Sequence, residues 1–389
     1  MVTLGSTRLL ASKALRGRRV GLVCNPASVD HRLRHSVDLF MTDPDVNLVA
    51  LFGPQHGFRS DVQDNMVETP HAELEAGGSK RVPLYSLYSD TREPTPEMLR
   101  DLDVLVVDLQ DVGTRIYTYV YTMANCMRAA RKLGLGVIVC DRPNPIGGIE
   151  IEGITLAPGN ESFVGQFAVP TRHGMTIGEL ARLFNSHFRI EASLEVIAMA
   201  AWQRPMYWDD TGLPWVMPSP NIPTLDSAIT FPGAVHIEGT NASEGRGTTR
   251  PFELVGAPWV SAERFSAGLN ARQLPGVYFR PAVFEPTFQK HARVACGGCQ
   301  IHVLDRDAFR PVLTGMAVVD ALRAANPAAF QWKTPPYEYE HDKMPIDVIA
   351  GSPEFRLAID AGERAEQIAE RWQPTLAAFE AVRRPHLLY

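Results

Sequence analysis

The chain has 389 residues, of which 45% are hydrophobic and 21% charged, with a formal net charge of −6. That composition is the one of a globular protein long enough for two cores, and it excludes a disordered or fibrous chain. The acidic balance, with no basic cluster able to track phosphates, excludes nucleic acid as an expected partner.

No apolar stretch approaches the ~18 residues of a membrane span. Residues 1–19 lack the apolar segment and small-residue cleavage site of a secretion signal. The expectation is a cytoplasmic protein with no membrane partner. The five cysteines (Cys24, Cys126, Cys140, Cys296 and Cys299) are odd in number and fall largely in predicted elements. They read as reduced, buried thiols, and Cys296-Gly-Gly-Cys299 reads as small residues at the start of a strand.

Four apolar runs organise the first 145 residues: 19–24 before Asn25-Pro26, 47–52 before Gly53-Pro54-Gln55-His56-Gly57, 104–107 before Asp108-Leu109-Gln110-Asp111, and 137–140 before Asp141-Arg142-Pro143-Asn144. Short, near-continuous Val/Ile/Leu runs separated by helix-length segments predict parallel strands buried on both faces. Ligands bind outside the carboxyl ends of such strands, where these polar clusters fall. Helices are predicted at 36–42, from Thr95-Pro96 onward, and over 117–133 with Gly134 as the stop. Thr176 with Glu179 predicts a capping box, which makes Glu179 a cap rather than a catalyst. From 202 to 258 prolines recur with few helical signals, and residues 215–224 can be neither regular helix nor central strand. Helix and strand signals return at 261–270, 277–279, 300–304 and 309–325, with a last helix near 363–384. The fold expected is α/β: a Rossmann-like parallel-sheet domain over 1–235 and a smaller C-terminal α+β domain over 236–389 that contributes to the cleft.

Neither nucleotide loop is present, since Asn25-Pro26-Ala27-Ser28 offers no glycine to a pyrophosphate and no G-x-x-x-x-G-K-[ST] occurs. No cofactor is expected. The densest polar segment is 237–253, with three glycines, two arginines, three glutamates and five hydroxyl or amide side chains. It reads as a binding loop or as a solvated turn with mutual ion pairs; the concentration of donors and acceptors favours the first. Arg246 and Arg250 there offer planar forks matched to a carboxylate. His56, His173 and His236 have no H-x-H or H-x-x-x-H pairing, so no metal site is expected. His56 and His173 fit better as hydrogen-bonding or acid/base groups. Asp108 and Asp111 are either site carboxylates or caps of the helix that follows, and Asp141 either joins the site or pairs with Arg142. Of Tyr117, Tyr119 and Tyr121, at most one or two can reach a site.

These segments together resemble the bacterial exo-β-N-acetylmuramidase family of the NamZ type. The matching stretches include 51–58 (LFGPQHGF), 85–99 (YSLYSDTREPTPEML), 107–119 (VDLQDVGTRIYTY), 141–148 (DRPNPIGG), 172–180 (RHGMTIGEL), 218–224 (PSPNIPT), 238–258 (EGTNASEGRGTTRPFELVGAP), 285–291 (EPTFQKH) and 335–340 (PPYEYE). The resemblance implies an active site in the cleft between the two domains and removal of non-reducing terminal N-acetylmuramic acid from peptidoglycan fragments, with a small carbohydrate as partner. Together with the strand-end reading, it leaves Gln55, His56, Asp108, Asp111 and Glu244 as candidate catalytic residues. Candidate sugar ligands are Asn25, Arg115, Asp141, Asn144, His173, Asn221, Asn241, Arg246 and Arg250, with an arginine gripping the lactyl carboxylate.

One position departs from the pattern. The family's strand-end motif reads G-P-E-H-G, with glutamate as a leading catalytic candidate, and here it is Gln55. Family members also carry Met-Glu where this chain has Met127-Arg128. Glycoside hydrolysis normally needs two carboxylates, and glutamine can neither give nor take a proton. Other carboxylates would then serve (Asp108, Asp111, Glu152, Glu244, Asp61 or Asp64), or the protein binds a sugar acid without cleaving it. Metal-dependent hydrolysis is a third reading, resting on the scattered histidines.

Overall fold

The four apolar runs form the centre of one seven-stranded sheet, in a computed structural model that describes residues 1–64, 66–76 and 80–389. The strands of this sheet are β1 (Arg19–Cys24), β2 (Asn47–Gly53), β3 (Ala72–Ala76), β4 (Lys80–Ser86), β5 (Val104–Asp108), β6 (Gly136–Cys140) and β9 (Leu194–Ile197). A two-stranded pair, β7 (Glu152–Thr155) and β8 (Pro170–Arg172), lies between β6 and β9 in the chain. The order is β3-β4-β2-β1-β5-β6-β9, parallel throughout except for β3 against β4. Each residue of β5 is buried, because helices cover both faces of the sheet. Continuous rather than alternating apolar sequence follows from that double burial.

Local signals act where the sequence places them. Thr95 accepts from the Met98 amide with Pro96 in the first turn, and Thr176 and Glu179 close a capping box on the helix Ile177–Ser186. The helix Tyr119–Lys132 crosses from β5 to β6. All five cysteines are free and buried. Among the described residues, no helix is long and apolar enough to cross a membrane.

The C-terminal part is smaller and built on a three-stranded antiparallel sheet, β10 (Leu254–Ala257), β12 (Cys296–Val303) and β11 (Val277–Phe284), in the order β10-β12-β11. Two expectations need correction here. The proline-rich segment 202–258 contains a helix, Leu225–Ala234, capped by Thr224, with Pro232 inside its last turn. A proline there removes one intrahelical hydrogen bond, and tertiary packing rather than local propensity holds the helix. It lies directly on the helix Pro311–Ala325, where a Cβ on Gly315 would come 2.1 Å from the Gly233 carbonyl oxygen. The single final helix expected near 363–384 is two, Ala365–Glu370 and Gln373–Arg383, with Pro374 opening the second.

Candidate active site at the sheet edge

The turn after β2 starts the site. Gly57 has φ +80° and His56 φ +69°, two successive left-handed residues, and this tight reversal leaves Gln55 and His56 at the rim of a pocket. The start of the helix after β5 (Tyr117, Thr118, Tyr119) and the 218–222 loop line it from the sheet side. Glu238, Arg246, Phe252, Tyr337 and Glu338 close it from the C-terminal part.

Gln55 is 5% exposed, and each end of its amide is engaged. Its Oε1 accepts from Thr118 Oγ1 at 2.7 Å, and its Nε2 donates to Tyr88 Oη at 3.1 Å and to the Glu338 carboxylate at 3.2 Å. The amide orientation follows from chemistry, since a flipped side chain would turn its oxygen toward a carboxylate. Tyr88 Oη donates to Glu338 Oε2 at 2.9 Å. Glu338 is 3% exposed with φ +46°, and Tyr339 follows at φ +66°. Two adjacent non-glycine residues in the left-handed region are a strained backbone of the kind found at ligand sites.

Glu238 belongs to a second cluster. Its carboxylate accepts from Arg246 Nη2 at 2.6 Å and Nε at 3.1 Å, and from Tyr337 Oη at 2.8 Å. Burial alone would raise this carboxyl, but Arg246 and Tyr337 outweigh burial and hold it below the usual range. Arg246 lies over the Phe252 ring at 5.1 Å and 3.4 Å from Glu244. Its Nη1 is buried without a hydrogen-bond partner among the described residues. His56 is pushed down to about 4, by burial first and by Arg246 second. Its Nδ1 sits 2.8 Å from the Val62 carbonyl, so Nδ1 carries the proton and Nε2 is a lone pair.

The sequence-derived site residues divide sharply. Gln55, His56, Asn221 and Arg246 line the pocket. Asn221 also ties the 218–222 loop to the Gln63 carbonyl at 2.8 Å. Glu244 stands behind Arg246, ion-paired to Lys290 at 2.7 Å.

Asp108 and Asp141 share the correct sheet edge, yet both are sealed rather than open to the cleft as expected. Asp108 is fully buried in a two-point ion pair with Arg142, at 2.6 and 2.8 Å, and accepts from Ser36. Asp141 does not pair with the Arg142 guanidinium. It accepts from Thr176 Oγ1 (2.8 Å), the Gly178 amide (2.8 Å) and Tyr389 Oη (2.7 Å), and burial raises it to about 7.

Asp111 binds the Gly113 amide at 2.7 Å and lies 3.2 Å from His173 Nε2, away from the pocket lining. Asn144 ties the Met175 carbonyl, and Asn241 the Ala329 carbonyl. Asn25 holds the Pro218 carbonyl at 2.8 Å and so positions the 218–222 loop from outside. Arg115 is wholly buried, donates to the Ile349 carbonyl, and is lowered to about 10 by burial. Arg250 is 44% exposed beside Glu253, outside the pocket. Glu152 caps the helix Pro311–Ala325 through the Leu313 amide.

Sequence reasoning missed Thr118, Tyr88, Glu238, Tyr337 and Glu338 as site residues. Their segments (85–99, 107–119, 238–258 and 335–340) carried the family resemblance, which was the available signal. Tyr117 and Tyr119 reach the pocket, while Tyr121 stacks on Phe184. Among the described residues, no group of three or more His, Cys, Asp and Glu side chains is arranged to hold a metal.

Comparison with known proteins gives a consistent result. The family model for the exo-beta-N-acetylmuramidase NamZ N-terminal domain matches residues 20–226, and that for its C-terminal domain residues 229–389. The peptidoglycan beta-N-acetylmuramidase NamZ of Bacillus subtilis (strain 168) is 47% identical over 377 residues, 97% of this chain and 88% of that protein. A DUF1343 family crystal structure from Bacteroides fragilis NCTC 9343 superposes with a TM-score of 0.88 at 36% identity, covering 100% of this chain and 99% of the other. A second from the same organism gives 0.78 at 26% identity, with the same coverage. The chain belongs to the exo-beta-N-acetylmuramidase NamZ family.

Proposed function

We propose that the pocket beside Gln55 is the active site of a glycoside hydrolase that removes non-reducing terminal N-acetylmuramic acid from peptidoglycan fragments. The observation that carries this reading is the pair of buried carboxylates, Glu238 and Glu338, on one pocket. Glycoside hydrolysis normally uses two such groups flanking the scissile bond. With both present, the chemistry does not depend on a carboxylate at position 55. Tyr117, Tyr119 and Phe252 line the pocket, and the Nη1 of Arg246, which has no hydrogen-bond partner among the described residues, offers a charged donor to the lactyl carboxylate. Asp108, Asp111 and Asp141 keep structural work in this reading, binding backbone amides and Arg142 at the strand ends.

Incubating the protein with a chromogenic muramic acid glycoside, with and without a chelator, tests the function. Release that ignores the chelator is expected. Binding without release would mean a sugar-acid binding protein, and release abolished by the chelator would mean a metal-dependent hydrolase.

A further inference from the structure

We propose that a groove beside the pocket binds the sugar on the leaving side of the scissile bond, a neutral N-acetylhexosamine; the inference rests on the muramidase reading above. The groove is walled by the 220–223 turn, the 247–251 turn, Gln63, and the end of β11 with the residues that follow it. It adjoins the pocket across one side chain, since Asn221 lines both. Residues of the 219–223 segment divide between the two hollows: Ser219 and Ile222 line the pocket, Pro220 and Pro223 the groove. The 246–252 segment divides likewise, with Arg246 and Phe252 on the pocket and Gly247 and Pro251 on the groove. A hydrolase that encloses a terminal sugar has to pass the rest of its substrate out of the enclosure. This groove shares two of the pocket's walls.

The groove is held in shape by contacts that need no ligand. The Thr287 amide and the Thr287 hydroxyl both donate to the Gly247 carbonyl, each at 2.9 Å. Gly247 has φ +79°, and a Cβ there would lie 2.7 Å from the Phe288 carbonyl oxygen, so glycine lets these two walls meet. Across the groove, Asn221 donates to the Gln63 carbonyl at 2.8 Å, and Gln289 donates to the Asp64 carboxylate. A site whose walls are tied in advance spends less on ordering when its ligand arrives.

The chemistry of the lining selects the ligand. Phe284 and Phe288 are half-buried and supply apolar ring surface, while the exposed Thr249 and Gln63 offer a hydroxyl and an amide. Among the described residues that line the groove, Glu285 is the one with a charge. Apolar surface with a few neutral hydrogen-bonding groups suits a pyranose, which is apolar on its C–H face and hydroxylated at its edge. The pocket has the opposite character, with Arg246, Glu238 and Glu338 on its wall. A sugar acid therefore belongs in the pocket and a neutral hexosamine in the groove. A peptide stem carries carboxylates, and the described lining meets them with Glu285 and with no lysine or arginine.

The test compares two substrates that both leave as alcohols. One is the MurNAc–GlcNAc disaccharide; the other is the methyl β-glycoside of N-acetylmuramic acid, which has no sugar to place in the groove. The wild type should show the higher kcat/KM on the disaccharide. Phe288→Ala should lower the disaccharide value by ~10-fold, the scale of one lost ring contact. Thr249→Val should lower it by ~2–10-fold, the worth of one neutral hydrogen bond. The methyl glycoside should be affected far less, and the ratio of the two values on one preparation cancels any loss of folded protein. A wild type with no preference for the disaccharide, or variants that keep the wild-type ratio, would overturn the subsite. So would faster cleavage of a disaccharide bearing a peptide on its lactyl group, with that gain lost in Phe288→Ala, because the groove would then hold the peptide. A wild type inert toward both substrates would instead overturn the muramidase reading, and the subsite with it.

Discussion

At the scale of single residues, Gln55 is the side chain that ties the sheet edge to a carboxyl of the C-terminal part. Gln55→Glu would place a carboxylate where an amide now lies 3.2 Å from Glu338. Two carboxyls in hydrogen-bond contact do not both ionise, so the pair would hold a proton to higher pH. The expected outcome is an alkaline limb of kcat/KM moved upward in pH, with faster hydrolysis on that side. A pH–rate profile that matches the wild type would show that the two groups are not coupled.

Arg246 gives a second prediction. In the native protein the Glu238 carboxyl is held below its usual range, so its contribution to stability is present above the ordinary carboxylate pKa and is lost as pH falls through the depressed value. Arg246→Ala removes the cation and leaves burial, which raises the carboxyl, so the contribution is then present at acid pH and lost as pH rises. Breaking a buried pair this way costs about 3–5 kcal/mol near neutral pH. Thermal melts from pH 4 to 8 should show a variant that is closest to wild type at the acid end. In the folded variant, binding of N-acetylmuramic acid should weaken by ~1.5–3 kcal/mol, the worth of a hydrogen bond to a charged group. N-acetylglucosamine should be affected far less, and an equal loss for both would show that Arg246 does not read the lactyl carboxylate.

At the scale of elements, buried carboxyls do the work of helix capping. Asp141 holds the start of Ile177–Ser186 and Glu152 the start of Pro311–Ala325, and burial raises each to about 7. Both folded values lie above those of the unfolded chain. The associated stability is therefore fully present below the ordinary carboxylate range and is lost as pH rises through about 7. Asp141→Asn combined with Glu152→Gln should flatten the decline in melting temperature between pH 5 and 8, and an unchanged slope would assign it to other groups. The cap at Thr176 and the strand runs were legible because both are local: a cap spans three residues and a buried parallel strand about five. The helix Leu225–Ala234 was not, because its composition includes Pro232 and Gly233 and only its partner helix makes it stable.

At the scale of the molecule, the pocket exists only where the sheet edge meets the C-terminal part. The helices Leu225–Ala234 and Pro311–Ala325 touch backbone to backbone at Gly233 and Gly315. The first of them leads directly into Val235–Gly239, the turn that carries Glu238. Gly315→Ala should force these helices apart, cost ~1–3 kcal/mol as overpacking does, and lower kcat through displacement of Glu238. Full activity together with a native melting temperature would show that this contact does not set the pocket.

The sequence by itself determined the parallel sheet and the family, and it singled out Gln55, His56, Asn221 and Arg246, which the fold brings to one pocket. These follow from apolar runs, turn chemistry and motif strings, each confined to a short stretch of chain. Which carboxylates face the pocket was decided only by the tertiary structure. Asp108 looked like a site residue until Arg142 and Ser36 closed around it, whereas Glu338 gained its place from contacts with Gln55 and Tyr88, more than 200 positions away. A carboxylate becomes a structural anchor or a reactive group according to the cations, donors and water around it, and long-range packing brings those together.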